Sequence, residues 1–331
     1  MDRQAARAAL FLLLATGPLA EVLSANVSLF TFMQPLPFVL VTLTYGVPVL
    51  LIRELAVARR LNPLGVALLG LACGILNEGV IAKTLTQPGG PPLFDFAGYG
   101  QVGMLQAGWT IFMVVWHAPH SVLYPLLLCR WMFPAAAGRR WFASGRSRSL
   151  LYLLLVALAG LYALYFLNPL RSDPGVFGLY VVATLGLVGI ALRYCIAARS
   201  SPATPPPNRT PQPALIGSSM VIFYLFQLWS PAHLPFLVFL AISTGSIVFV
   251  TVSMRRAGWR PVPELLLFGL GDDLTFSLLA AALGIVAGRN ALELTLAGAL
   301  FLALFVYLIR AVGRQPFGRG GLPAPLPTGA W

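Results

Sequence analysis

Long apolar runs alternate with short loops that contain Arg, Pro or Gly along the whole chain. A helix needs about 20 apolar residues to cross the hydrocarbon core of a bilayer. The runs of about that length are 8–27, 36–52, 64–85, 105–131, 150–168, 176–196, 214–230, 234–253, 264–287 and 291–309. Their hydrophobicity is continuous rather than alternating, which predicts helices and not the strands of a barrel. We therefore expect an all-α fold, a polytopic transmembrane helical bundle of about ten spans.

Composition and charge agree with this pattern. Of the 331 residues, 58% are hydrophobic and 10% are charged, too few polar groups to cover a water-soluble protein. Nineteen of the 22 Lys and Arg residues lie on alternate loops, so the positive-inside rule places both termini in the cytoplasm. The net charge of +12 thus indicates a lipid bilayer as partner, and no nucleic acid. The Arg-, Ala- and Gly-rich composition predicts the bacterial cytoplasmic (inner) membrane.

A Pro-, Ser- and Thr-rich stretch, "RSSPATPPPNRTPQP", interrupts the apolar runs at residues 199–213. It predicts a flexible cytoplasmic linker between a six-span domain (1–198) and a four-span segment (214–310). Residues 311–331 are expected to form a disordered cytoplasmic tail. Cys73, Cys129 and Cys195 have no paired spacing and are expected to be packing residues. Arg53 and Glu54 are expected to be a snorkelling end of span two with an ion-pair neighbour.

Span three carries an acid inside the apolar stretch "LACGILNEGVIAKTL". Steps of three and four place Gly70, Cys73, Gly74, Asn77 and Glu78 on one helical face. Small residues at such spacing let membrane helices approach closely. An acid in the middle of a span costs about 2.5 to 3.5 kcal/mol on insertion scales. Glu78 and Asn77 are therefore expected to face the bundle interior.

Span four carries a polar stripe that could meet this acid. Its members fall three or four positions apart, and besides Met113 they are Gln106, Thr110, His117, His120, Ser121 and Tyr124. Pro119 lies between the two histidines and predicts a kink there. Because spans three and four are consecutive and antiparallel, Glu78 and His117 are expected at similar depth near the middle of the bilayer.

Two more spans contain acids. Span nine has the adjacent Asp272 and Asp273, and span one has Glu21 with Gly17 and Ser24 on its face. We predict that spans one, three, four and nine surround a common polar cavity. A buried acid can instead bond a neighbouring helix, and this structural interpretation is favoured for Glu21 taken alone.

The segments "LIRELAVARRLNPLGVALLGLACGILNEGVIAKTL" and "GWTIFMVVWHAPHSVLYPLLLCRWMFP" resemble a family of multi-pass membrane proteins of archaea and bacteria without an assigned activity. The resemblance covers about the first 135 residues. It implies an acidic pair before a Gly, where this chain has Asn77 and Glu78. It also implies an aromatic-His-Ala segment, here Trp116, His117 and Ala118.

The order of these segments is also similar, in part, to the CPBP (CAAX protease and bacteriocin-processing) intramembrane proteases. That resemblance implies Glu78 as the second Glu of an acidic pair and His120 as the His of an aromatic-xxx-His motif that begins at Trp116. Asn77 stands at the first acid, Ala82 stands at the motif's Arg, and no later span has a His at the third motif's spacing.

Three functions fit these residues. In a transporter, Glu78, His117, His120, Asp272 and Asp273 relay protons or bind a cation or small solute, with binding groups from Asn77, Gln106, Thr110, Ser121, Tyr124 and Glu21. In an intramembrane hydrolase, Glu78 activates water against a membrane-embedded substrate. His117 and His120 then act as ligands of a metal such as zinc or as transition-state donors, and Asp272 could complete the ligand set. In a scaffold, the polar stripes only join helices.

Overall fold

A computed structural model describes residues 2–23, 27–86, 96–142, 144–165, 173–195, 213–256, 263–286 and 291–314. The α-helices are α1 Arg3–Gly17, α2 Leu29–Phe32, α3 Pro35–Arg59, α4 Pro63–Ile75, α5 Ala107–His117, α6 Tyr124–Met132, α7 Gly145–Tyr165, α8 Pro174–Tyr194, α9 Pro213–Trp229, α10 Phe236–Arg256, α11 Pro263–Val286 and α12 Ala291–Arg314. The only strands in these ranges are the short hairpin of β1 Gln101–Val102 and β2 Leu105–Gln106. The predicted all-α class is confirmed.

Three of the helices in these ranges continue into a single π-helical turn. They are Pro18–Val22 after α1, Leu76–Ile81 after α4, and Ala118–Leu123, which joins α5 and α6 into one rod. Each turn contains an i→i+5 hydrogen bond, such as Ala82 N–H to Asn77 O at 2.7 Å. At Pro119 the predicted kink takes this form, because proline lacks the N–H that a regular helical turn requires.

Eight helices in the described ranges are long and apolar enough to cross a membrane: Arg3–Val22, Pro35–Arg59, Pro63–Ile81, Ala107–Met132, Pro174–Tyr194, Pro213–Ala232, Leu265–Ala282 and Ala291–Ala311. Each of the ten predicted spans coincides with a helix, but α7 and α10 are not among these eight. The number ten and the cytoplasmic termini stay predictions. The predicted linker, apart from Pro213, and the tail from residue 315 onward lie outside the described residues.

Small residues set the approach of α4 to the α5–α6 rod. A Cβ placed at Gly74 would lie 3.0 Å from the Cβ of His117, and one at Gly70 would lie 3.1 Å from the backbone of Ala118. The predicted small-residue face of span three therefore packs directly on the histidine-bearing part of span four. This contact sets the distance between Glu78 and His117.

The C-terminal helices also approach each other closely at glycines. α11 lies between α9 and α12. A Cβ at Gly217 or Gly271 would overlap the backbone of Phe268 or Ala214 on the opposing helix. Because α11 also contacts α6, its two aspartates reach the α5–α6 rod.

Arg53 and Glu54 form a buried pair rather than a snorkelling end. Glu54 pairs with Arg53 and accepts the backbone N–H groups of Trp141 at 2.9 Å and Phe142 at 3.2 Å. The Arg53 guanidinium lies 3.6 Å from the ring centroid of Trp141. The predicted ion pair is present. Snorkelling is wrong, because the segment after α6 folds over both side chains.

Candidate functional site

Glu78 and His117 contact each other between α4 and the α5–α6 rod, as their spacing predicts. Glu78 Oε1 lies 3.1 Å from His117 Nε2, and the side chains are 7% and 1% exposed. His117 Nδ1 lies 2.7 Å from the Ser121 hydroxyl. A neutral imidazole that donates from Nε2 to Glu78 accepts the Ser121 proton at Nδ1. The three side chains thus form one hydrogen-bonded row.

The row continues from Glu78 toward the hairpin end of the bundle. The Thr84 hydroxyl donates to Glu78 Oε2, and the Trp109 indole N–H donates to Thr84 at 3.2 Å. Thr84 is only partly buried, so the row begins near the surface. We call the five side chains of Trp109, Thr84, Glu78, His117 and Ser121 the polar row.

Tyr45 of α3 joins Glu21 to the polar row. Its hydroxyl donates to Glu21 Oε1, and its ring stacks on His117 with centroids 5.6 Å apart. Glu21 therefore has the local partner that its structural interpretation expects. The sequence analysis missed Tyr45, because a lone aromatic residue in an apolar span carries no mark of a polar role.

His120 faces a different pair of acids. Its Nε2 lies 3.2 Å from Asp272 Oδ2 and 3.9 Å from Asp273 Oδ1, and its Nδ1 lies 3.0 Å from the Trp116 carbonyl oxygen. The Tyr124 hydroxyl donates to Asp272 Oδ2 at 2.9 Å. We call His120, Tyr124, Asp272 and Asp273 the aspartate centre. All four side chains are buried between α11 and the α5–α6 rod.

The aspartate centre contains polar atoms without hydrogen bonds in the described structure. They are Oδ1 of Asp272, Oδ1 of Asp273 and Nε2 of His120, whose approach to Asp272 has ion-pair distance but not hydrogen-bond geometry. Asn77, beside Glu78, is 2% exposed, and neither atom of its amide has a partner there. Unsatisfied buried polar atoms are costly, and each calls for a physical explanation, such as a catalytic role, a bound ion or a bound water.

The remaining residues of the predicted stripe lie nearer the hairpin. Thr110 contacts the Tyr180 hydroxyl at 2.8 Å, and Tyr180 donates to the Leu85 carbonyl at 3.3 Å. Gln106 is fully buried where α5 begins. Ser24 lies outside the described residues. Thr84, Trp109 and Tyr180 were not predicted, and the spacing of six residues between Glu78 and Thr84 is not a helical repeat that would have indicated their contact.

The predicted metal ligands do not form one set. No group of three or more His, Cys, Asp or Glu side chains that could hold a metal ion occurs in the described ranges. His117 contacts Glu78, whereas His120 contacts Asp272 and Asp273. The site consists of two separate carboxylate–imidazole contacts.

The fold and the site define an integral, multi-pass helical membrane protein with buried carboxylate–imidazole pairs. The chain belongs to an uncharacterized membrane protein family, whose model matches residues 10–315. The match extends the resemblance expected for the first 135 residues to nearly the whole chain. No curated protein matches the chain, and no solved structure matches it. The resemblance to the CPBP proteases stays a prediction.

Proposed function

We propose that this protein is a proton-coupled transporter of a bacterial cytoplasmic membrane, which moves an ion or small polar solute. The polar row carries the proposal, because its members from Thr84 through Glu78 and His117 to Ser121 form a continuous chain of groups that can pass on a proton inside an apolar bundle. The structural acid Glu54 accepts from an arginine and from backbone N–H groups, which do not exchange protons. Glu78 instead contacts both an imidazole and a hydroxyl.

The contact of Glu78 with His117 suits proton exchange. When Glu78 is protonated and His117 has its proton on Nδ1, which then donates to the Ser121 hydroxyl, the carboxyl proton can move to Nε2. This step converts a neutral pair into an ion pair without changing the total charge of the site. The Thr84 and Ser121 hydroxyls flank the pair, and a hydroxyl can donate and accept at once. Partly buried Thr84 is the entry to the row in this proposal.

The aspartate centre would bind the coupled cation or a second proton. One imidazolium balances one carboxylate, so two ionised aspartates leave a negative charge in an apolar surrounding. A bound proton or cation removes this charge, and the unpartnered Oδ1 atoms are available to it. His117 and His120 are three residues apart at the π-helical turn Ala118–Leu123. A conformational change of this turn would move both imidazoles, and it would thus couple the contact of His117 with Glu78 to the contact of His120 with Asp272.

The test is proton uptake into liposomes that contain the purified protein and an internal pH-sensitive dye. We expect Glu78→Gln to lower the uptake by at least about tenfold, because the amide cannot release a proton. The matched control is Glu293→Gln, at the partly exposed start of α12, where the carboxylate lies 3.4 Å from the Phe30 N–H. A folded Glu78→Gln protein with wild-type uptake would overturn the proposal, and so would wild-type uptake no greater than that of empty liposomes.

A second candidate function is a hydrolase with Ser121 as nucleophile. Ser121, His117 and Glu78 follow the hydroxyl–imidazole–carboxylate order of a catalytic triad, with contacts of 2.7 and 3.1 Å. A fluorophosphonate probe would phosphonylate an activated Ser121 and release fluoride. Labelling that Ser121→Ala removes and Ser219→Ala keeps would support this function. Labelling that stays unchanged in Ser121→Ala would exclude it.

A further inference from the structure

A narrow cleft lies at the basic end of the bundle. The hairpin and Thr84 lie at the other end of the α5–α6 rod. The walls of the cleft come from α1, α3, α6 and the segment after α6, and they are mostly apolar. Arg53, Arg130, Phe133 and Trp141 are among its lining residues. Its enclosed space is only about 20 Å³, which is room for a water but not for a phosphate. A larger ligand can therefore occupy only the mouth.

The charges around this cleft do not balance. Arg53 pairs with Glu54, and its Nη2 also donates to the Ala136 carbonyl at 3.0 Å. Arg139 pairs with Asp2 at 2.9 Å, and a hydrogen bond from the Ala5 N–H lowers the pKa of Asp2 below its usual value, so this acid is ionised. Arg130 is partly buried, and in the described structure no carboxylate lies within ion-pair distance of it. The cleft therefore has one uncompensated guanidinium.

An apolar strip leads away from the cleft along α1. The Phe133 ring at the cleft contacts the Phe11 ring with centroids 5.8 Å apart. Leu10 and Leu14, on either side of Phe11, are 55% and 39% exposed. A shallow groove lined by these three residues and Arg7 continues the strip. Its apolar lining and its position beside the cleft suit a hydrocarbon chain.

We propose that the cleft mouth binds the phosphate of an anionic phospholipid. The Arg130 guanidinium donates to the phosphate oxygens, and one acyl chain lies along the strip of Leu10, Phe11 and Leu14. Arg53 adds positive potential but is held by Glu54, Ala136 and Trp141. Basic pockets between helices at the cytoplasmic side of a membrane bind lipid headgroups in this manner. The site is independent of the proposed transport function.

The competing explanation is that Arg130 only extends its guanidinium into the interfacial water at the end of α6. Melting of the full-length protein in detergent separates the two explanations. The additions are phosphatidylglycerol, phosphatidylcholine and inorganic phosphate. We expect phosphatidylglycerol alone to raise the melting temperature. Arg130→Gln should weaken phosphatidylglycerol binding by about fivefold or more, and Arg130→Lys should have a smaller effect.

The matched control is Arg59→Gln, which removes an exposed charge near the same end of α3. A control that loses as much binding as Arg130→Gln would show general attraction to the membrane surface and would overturn the site. If inorganic phosphate raises the melting temperature without lipid, the ligand is a free anion, and the proposed phospholipid site is overturned. Native mass spectrometry counts the retained lipids if Arg130→Gln lowers the melting temperature by itself. An unchanged count would also overturn the proposal.

Discussion

At the scale of single residues, the buried polar groups fall into two kinds. Both carboxylate oxygens of Glu54 have partners, because they accept two backbone N–H groups and pair with Arg53. Asn77 and the Oδ1 atoms of Asp272 and Asp273 have no partner in the described structure. Glu54 therefore stabilises the fold, whereas Glu78, whose oxygens also have partners, is assigned to proton transfer because those partners are an imidazole and a hydroxyl. The second kind is where we expect a ligand or a proton.

Removing the carboxylate of Glu54 should be strongly destabilising. In Glu54→Ala, Arg53 is left as a buried unpaired charge and two N–H groups lose their acceptor. A loss of about 3 to 5 kcal/mol in the free energy of unfolding is expected for breaking a buried pair. Denaturant unfolding in detergent measures it, with Glu293→Ala as the partly exposed control. A loss under about 1 kcal/mol would mean that the pair behaves like a surface ion pair.

Replacement of Asn77, in contrast to that of Glu54, should not destabilise the protein. Because its amide makes no hydrogen bond in the described structure, Asn77→Leu removes an unsatisfied group that costs about 1 to 3 kcal/mol. We expect an equal or higher melting temperature together with reduced proton uptake in liposomes. A lower melting temperature with normal uptake would show that Asn77 only supports the packing.

At the scale of elements, the α4 face decides whether the polar row exists. Gly74 and Gly70 bring α4 against the α5–α6 rod, and the π-helical turns then orient Glu78 and His117. The pairing of Glu78 with His117 follows from spacing and depth in the sequence. The three π-helical turns do not, because their i→i+5 bonds depend on how neighbouring helices pack.

Enlarging Gly74 should separate the two rods. A side chain in Gly74→Leu would meet His117 and the backbone of Val114, and overpacking of this kind costs about 1 to 3 kcal/mol. We expect a lower melting temperature and loss of proton uptake. The control is Gly186→Leu on α8, where no atom of the described residues lies within 4 Å of an added Cβ. Equal effects of both changes would contradict the assigned contact.

At the scale of the whole molecule, the distribution of basic residues predicts which end of the bundle faces the cytoplasm. Val102 in the hairpin and Arg140 after α6 are exposed at the two ends of the α5–α6 rod. All three native cysteines are buried, so the wild-type chain should react little with a maleimide.

Labelling of whole cells tests this orientation. A membrane-impermeant maleimide should label Val102→Cys in intact cells, and should label Arg140→Cys only after the membrane is opened. The reverse pattern would invert the predicted topology. It would also move the phospholipid site of Arg130 to the outer surface.

The sequence by itself determined the class of protein, the positions of the helices and the burial of Glu78, Asp272 and Asp273, because hydropathy and helical spacing are local properties of the chain. The pairing of Glu78 with His117 also follows from spacing and depth, but tertiary structure alone decided the other partners. His117 contacts Glu78 and Tyr45, whereas His120 contacts Asp272, although the two histidines are three residues apart. Such choices depend on which distant helix packs on each face, and the chain does not record this locally.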